Sequence, residues 1–555
     1  MTDLRRTLLW GVFLMSLFLL WDGWNKQNGR GSFFEPQVRS AAPAAPANGG
    51  ASSAPGAVPT PSSGAGTAAG APPAGAAPAA ATAATVTVAT DILELTFDTR
   101  GADVVRAQLL TQVDQADRSK SVVLLERSAS RLYVAQTGLV GAPGLPNHLT
   151  SFRPVPGETR LAPDKNTLEV AFEAGESGGV IVRKTYTLTR GNYLIDVRHE
   201  IRNEGSAAVT PQLYLQLVRD GNVEAPSIFL APTSFTGPAI YTDAGKFQKM
   251  DFTDIEKGKA EHVKTADSGW VAMVQHYFFS AWLHAPQTPR EFYARKVDTN
   301  LYAVGELLTV GSVEPGASKT VASRLYLGPQ EETKIETLAP GLDLVKDYGW
   351  FTILAKPLFW LLDKLHGLLG NWGWAIVALV VLLKLAFYSL NASAYKSMAK
   401  MKAVNPRVQE LRERLKDKPQ QMQQEMMRIY KEEKVNPLGG CLPILVQMPV
   451  FIALYWVLLS SVEMRNAPWV LWIKDLSVQD PYYILPVVMT ATTLLQTWLN
   501  PTPPDPMQAR LMWIMPLVFG VMFFFFPAGL VLYWITNNVL SIAQQYVINK
   551  RLGVA

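Results

Sequence analysis

The hydrophobic rhythm of the chain changes twice along its length. From about Thr85 to Pro340, apolar and polar residues alternate in short runs, as in Ile92-Leu93-Glu94-Leu95-Thr96-Phe97 and Tyr186-Thr187-Leu188-Thr189. Alternation with period two places the apolar side chains on one face of a strand. Turn signals such as Arg190-Gly191-Asn192 and Asn203-Glu204-Gly205 separate the runs. Many short strands joined by polar turns predict an antiparallel β-sandwich, of supersandwich size, over residues 85–341.

Beyond Trp372 the runs lengthen toward the roughly 20 apolar residues needed to cross a bilayer. Transmembrane helices are expected over 372–392, 435–461, 481–499, 509–527 and 528–555, the last including a short tail. The final two are separate because Pro527-Ala528-Gly529 interrupts them. A single helix of ~40 residues would extend about 60 Å, twice the hydrocarbon thickness. Between the two regimes, residues 342–371 carry Leu354, Leu358, Leu361, Leu362 and Leu365 near helical spacing, interrupted by Lys356, Asp363, Lys364 and His366. That pattern predicts an amphipathic helix lying on a membrane surface.

At the N-terminus, Arg5 and Arg6 precede the apolar run Leu8 to Trp21, with no small-x-small cleavage signal after it. Residues 1–24 are expected to be a retained anchor. Residues 25–84 follow as a disordered linker, almost purely Ala, Pro, Gly, Ser and Thr from 41 onward. Such a tract buries too little to offset its chain entropy.

Charge fixes the orientation of this plan. The segment 393–434 is rich in Lys and Arg, the loop 462–480 is not, and Lys550 and Arg551 close the last helix. Basic loops stay in the cytosol, so six transmembrane helices put both termini, the short loop 500–508 and the basic segment inside, and the β-domain outside. The net charge of +5 is too mild to suggest nucleic-acid binding, and no DNA partner is expected.

Lys384 is the most informative residue for chemistry. It lies twelve residues after Trp372, roughly 18 Å along the helix. An ammonium at that depth costs about 2.5–3.5 kcal/mol unless water or a counter-charge meets it. Two readings stand side by side: a lysine that snorkels to the cytosolic headgroups, or one that sits in a wet groove. Tyr388, Asn391 and Tyr395 continue a polar stripe from it. Gln447, Thr493, Gln496, Tyr533, Asn537 and Ser541 lie in the partner helices, either as hydrogen-bonding glue or as further groove lining. No span from Trp372 onward holds an Asp or Glu, which argues against a proton-coupled transporter.

In the basic segment, Met401, Val404, Val408, Leu411 and Leu415 step by three and four. After Asp417-Lys418-Pro419, the residues Met422, Met426 and Ile429 answer them. This predicts an antiparallel helical hairpin. Its methionines, Met398, Met401, Met422, Met426 and Met427, are either ordinary core or an adaptable surface for varied apolar sequences. The single cysteine, Cys441, excludes an intrachain disulfide. There is no phosphate-binding glycine loop, no metal-spaced His/Cys cluster and no nucleophile elbow, so neither metal, cofactor nor enzymatic reaction is expected.

Several strings carry a resemblance: Asn371-Trp372-Gly373-Trp374, Glu433 through Pro443, Gln447-Met448-Pro449, Asp480 through Pro486 and Pro527 through Tyr533. Asp98-Thr99-Arg100-Gly101 and Gly269 through Met273 add to it in the β-domain. Together they resemble the YidC insertase family in its Gram-negative form, with relatives in mitochondria and chloroplasts. The resemblance implies a mutarotase-like periplasmic supersandwich on a five-helix core, in an inner-membrane protein acting alone or with the Sec translocon. It implies nascent membrane proteins as substrates, the lipid bilayer as their destination, and ribosome and targeting factors as partners. It also implies a hydrophilic groove with a cation in its first core helix. That cation is commonly arginine; here the position falls on Lys384.

Overall fold

The computed structural model describes residues 58–59, 84–115, 117–223, 235–415, 418–433, 442–500 and 506–552. The expected anchor at 1–24 and Cys441 lie outside the described residues.

The alternating segments form two nine-stranded antiparallel sheets. From edge to edge the first runs Thr85–Ala89, Leu93–Asp98, Asp103–Val113, Ser121–Arg127, Leu132–Val140, Gln212–Asp220, Leu301–Thr309, Arg290–Asp298 and Thr265–Ala266. The second runs Lys246–Lys249, Gly237–Thr242, Trp270–Val274, Phe278–Leu283, Ser318–Pro329, Leu194–Asn203, Val180–Thr189, Thr167–Ala174 and Phe152–Pro154. Their inner faces interdigitate through Leu95, Phe97, Phe172, Tyr186, Leu215, Trp270, Phe279 and Trp282, all buried. The expected β-sandwich is what the chain forms.

Among the described residues eight longer helices follow: α1 (Thr352–Leu369), α2 (Trp372–Ala386), α3 (Tyr388–Arg414), α4 (Pro419–Glu432), α5 (Leu442–Ser460), α6 (Ile484–Leu499), α7 (Pro506–Phe523) and α8 (Ala528–Leu552). Helix α8 is the hub of the group and packs against α6, α2 and α3. Its first turn is anchored from outside, because the Ala528 and Gly529 amides donate to the carbonyls of Val478 (2.7 Å) and Leu476 (2.9 Å). These are orphan donors that no intrahelical acceptor reaches. Asp480 performs the same service for α6, accepting from the Tyr482 and Leu485 amides and from the Trp472 indole. Where α2 passes Trp469, only glycine fits, since a Cβ on Gly373 would overlap the indole ring.

These helices are apolar on the outside as well as within. On α7, Leu511, Ile514, Leu517, Val518 and Val521 are all exposed; on α1, Ile353, Trp360 and Leu368 are. Water would penalise such a contiguous patch, whereas lipid accepts it. Among the described residues no single helix is both long and apolar enough to cross a membrane. One pair is so together: Trp372–Ala386 and Tyr388–Met398, bent by 68°.

That bend corrects the expectation of one continuous helix over 372–392. Phe387 takes φ −92° and ψ 13°, a sparsely allowed combination outside the helical well, and the axis turns there. At about 1.5 Å per residue, the fifteen residues of α2 extend only ~22 Å. The first core helix therefore ends with Lys384 in its last turn.

The sandwich and the helices meet through charge. Lys346, fully buried, lies 3.1 Å from the Glu463 carboxylate and 3.6 Å from that of Glu332. Arg118 pairs with Asp475 at 2.7 Å, and Arg465 donates to the Val113 carbonyl at 2.7 Å. Tyr348 donates to Glu332 at 2.6 Å across the same junction.

Candidate functional site

A hollow opens between α2, α3, α5 and α8. It is lined by Val380, Leu383, Lys384, Phe387, Leu390, Asn391, Gln447, Val450, Tyr533 and Asn537. Each polar member arrives by a simple route. Lys384 comes from the end of α2, Asn391 from the first turn of α3, and Gln447 from α5 ahead of Pro449. Tyr533 and Asn537 stand one helical turn apart on α8, so they share a face.

The polar groups satisfy one another. Lys384 Nζ donates to Ser541 Oγ at 2.7 Å, and Ser541 in turn donates to the Asn537 carbonyl at 2.7 Å. Gln447 Nε2 donates to Asn537 Oδ1 at 2.6 Å. No carboxylate is among the lining residues, so the ammonium meets hydroxyl and amide dipoles rather than an opposite charge. A dipole offsets only part of the desolvation that a buried charge suffers. The amine is thus left able to attract an incoming anion.

Of the residues singled out from sequence, the structure brings Lys384, Asn391, Gln447, Tyr533 and Asn537 together. Tyr388, Thr493 and Gln496 are not among the residues lining this hollow. The turn at Phe387 carries Tyr388 out of line, and its side chain is exposed while its carbonyl accepts weakly from Gln544 at 3.5 Å. Thr493 is occupied elsewhere: its hydroxyl donates to the Met489 carbonyl and accepts from Asn538 Nδ2, both at 2.8 Å. That pair is helix-to-helix glue. Sequence reasoning missed Phe387 and Leu390 as lining. Ser541 lies four residues after Asn537 on the polar face read from the spacing, and it is the partner of the amine.

On the other side of the bend, α3 and α4 form the expected hairpin. Val404, Val408 and Tyr430 are buried together with Met401, Met426 and Ile429 against them. Arg407 and Glu433 tie the far end of α4 back to α3 at 2.5 Å, so the two helices run antiparallel. Pro419 occupies the first turn of α4, where its missing amide is harmless. Met427 is exposed on the outer face, while Met398 and Met422 are partly covered.

Residues 85–361 match the family described as the YidC periplasmic domain, and residues 364–554 match that described as 60Kd inner membrane protein. The membrane protein insertase YidC of Cupriavidus necator is 56% identical over 562 residues, covering 99% of this chain and 98% of the relative. The chain belongs to the YidC family of membrane protein insertases. The YidC of Burkholderia multivorans is 53% identical, with 99% of each chain covered. The family consists of bacterial inner-membrane insertases with a periplasmic domain, not of enzymes. Among solved structures, an active YidC insertase with its first transmembrane domain resolved shares 20% identity at a TM-score of 0.40, over 83% of this chain and 92% of that one. A galactose mutarotase related enzyme from Lactobacillus acidophilus shares 11% at a TM-score of 0.28, over 44% of this chain and 97% of that one. The family assignment rests on the sequence relatives.

Proposed function

We propose that this chain inserts hydrophobic segments of nascent proteins into the bacterial inner membrane by passing their polar parts through the hollow around Lys384. The observation that carries this reading is an ammonium held by Ser541 in a polar hollow with no lining carboxylate. A polar segment entering a bilayer needs hydrogen-bond partners at every depth. Asn391, Gln447, Tyr533 and Asn537 supply them, and Lys384 attracts acidic residues of the incoming chain. The apolar part of the substrate then leaves sideways into lipid, releasing about 25 cal/mol per Å² buried.

In this account the chain spans the membrane six times, counting the N-terminal anchor, with both termini cytosolic and the sandwich periplasmic. The α3–α4 hairpin receives the emerging chain near the ribosome or its targeting factors. The protein works alone or beside the Sec translocon. Lysine keeps the charge found at the arginine position of its relatives but lacks the bidentate fork, so the mechanism needs the charge and not the planar geometry. Depleting a host's own insertase and supplying this chain tests the reading. Restored growth and insertion are expected, and failure despite normal membrane levels would overturn it.

A further inference from the structure

The linker, expected to be disordered throughout, contains two described residues, Val58 and Pro59, and Pro59 is buried. Val58 packs against a cluster formed by Val140, Tyr214 and Leu307, and Tyr293 packs against the same cluster. Val140, Tyr214, Leu307 and Tyr293 lie on neighbouring strands of the first sheet, on the face turned away from the sandwich core. Leu213, Leu215 and Leu308, their neighbours in the alternation, point inward instead.

This face is built as an aromatic platform. A Cβ on Gly305 would lie 2.5 Å from the Tyr293 hydroxyl, and one on Gly138 would overlap that of Tyr214. Glycine at both places lets the tyrosine side chains lie across the sheet. Their polar ends are already satisfied. The Tyr293 hydroxyl donates to Gln216 Oε1 at 2.9 Å, and the Tyr214 hydroxyl accepts from the His148 amide at 3.0 Å. The rings remain as apolar ground between Val140 and Leu307.

The linker side is equally particular. Between residues 41 and 84, Val58 is the one residue larger than Thr or Pro that is wholly apolar in its side chain. The rest of that tract is Ala, Pro, Gly, Ser, Thr and a single Asn. The segment Ala57-Val58-Pro59-Thr60-Pro61 has the composition of an extended polyproline-type strand, the form that aromatic-lined grooves bind at low entropic cost. We propose that the outer face of the first sheet, around Tyr214 and Tyr293, is a docking site for an extended Val-Pro peptide, filled in cis by the chain's own linker. Because linker and site belong to one molecule, their effective concentration is high, and weak contacts suffice.

Thiol cross-linking of the full-length protein in detergent tests this, in a Cys441→Ser background. One variant carries Val58→Cys with Leu307→Cys; its control carries Ala68→Cys with Leu307→Cys. A freely moving linker would favour the control, because position 68 is tethered to the sheet by the shorter segment. A docked linker predicts at least tenfold faster cross-linking at position 58. Adding Pro59→Asp to the first variant, which leaves the sandwich untouched, should slow cross-linking severalfold. Equal or faster cross-linking at position 68, or an unchanged rate with Pro59→Asp, would overturn the proposal.

Discussion

Lys384 and Ser541, 157 residues apart in sequence, meet across α2 and α8 at 2.7 Å. The serine hydroxyl spends its own proton on the Asn537 carbonyl, so it faces the ammonium as an acceptor. The pair holds the amine at the hollow rather than letting it extend toward the headgroups, and substitutions at both positions follow from it.

Lys384→Arg keeps charge and reach and should retain insertion. Lys384→Ala removes the attraction but leaves the hollow. Clients with acidic translocated segments should lose about tenfold, corresponding to the ~1.5 kcal/mol of a charged hydrogen bond, and purely apolar clients much less. Lys384→Glu should be worst, through like-charge repulsion at low local dielectric. In vitro insertion of paired clients measures these ratios, and equal loss for both client types would contradict the attraction.

The hairpin is predicted to be essential yet separate. Val408 is buried between α3 and α4, so Val408→Asp places a charge in its seam and should unfold it while the remaining helices stay assembled. Deleting 396–434 should likewise abolish insertion at normal membrane levels. Insertion assays combined with limited proteolysis of membranes would show both effects.

At the junction with the sandwich, Glu463→Ala leaves Lys346 buried with only the more distant Glu332. Removing one of its two partners weakens the compensation of a buried charge, so a lowered melting temperature in detergent is expected. Removing much of 90–320 should leave insertion largely intact, because none of the hollow's lining residues lies there. Lost insertion with normal levels of the truncated protein would contradict that separation.

Inside the sandwich, the Glu306 carboxyl is pushed up to about 7 by burial, against the opposing pull of Arg290 at 3.3 Å. An unfolded glutamate gives up its proton near pH 4.3. The stabilising contribution is therefore complete below about pH 4.3 and is lost as pH rises to about 7. Glu306→Gln should flatten this part of the stability profile, read by thermal melts of the full chain from pH 4 to pH 8. An unchanged slope would assign it to other groups.

The sandwich was legible because alternation and turn residues encode strands directly, as at Leu93–Asp98 and Val180–Thr189. The hairpin was legible through its three-and-four spacing. The break at Phe387 was not, since residues 380–391 contain neither proline nor glycine and the usual causes of a kink are missing. That one turn explains why Tyr388 left the stripe while Lys384 and Asn391 still face the same hollow. Asn537 and Asn538 are adjacent, yet one faces Gln447 and the other Thr493. About 100° of rotation per residue separates groove from glue, and periodicity alone did not say which partner helix stood on each side. The docked Val58 was invisible because composition argues about a tract as a whole, not about its one branched apolar residue.

The account stands or falls on whether water reaches Lys384. In a Cys441→Ser background, single cysteines at 384 and 385 are treated from the cytosolic side with a charged, membrane-impermeant thiol reagent. Leu385 is exposed but is not among the residues lining the hollow. The account predicts ready modification at 384 and at Asn391→Cys, and far slower modification at 385. Equal lack of reaction at 384 and 385 in an active protein would contradict it and leave a snorkelling lysine in its place.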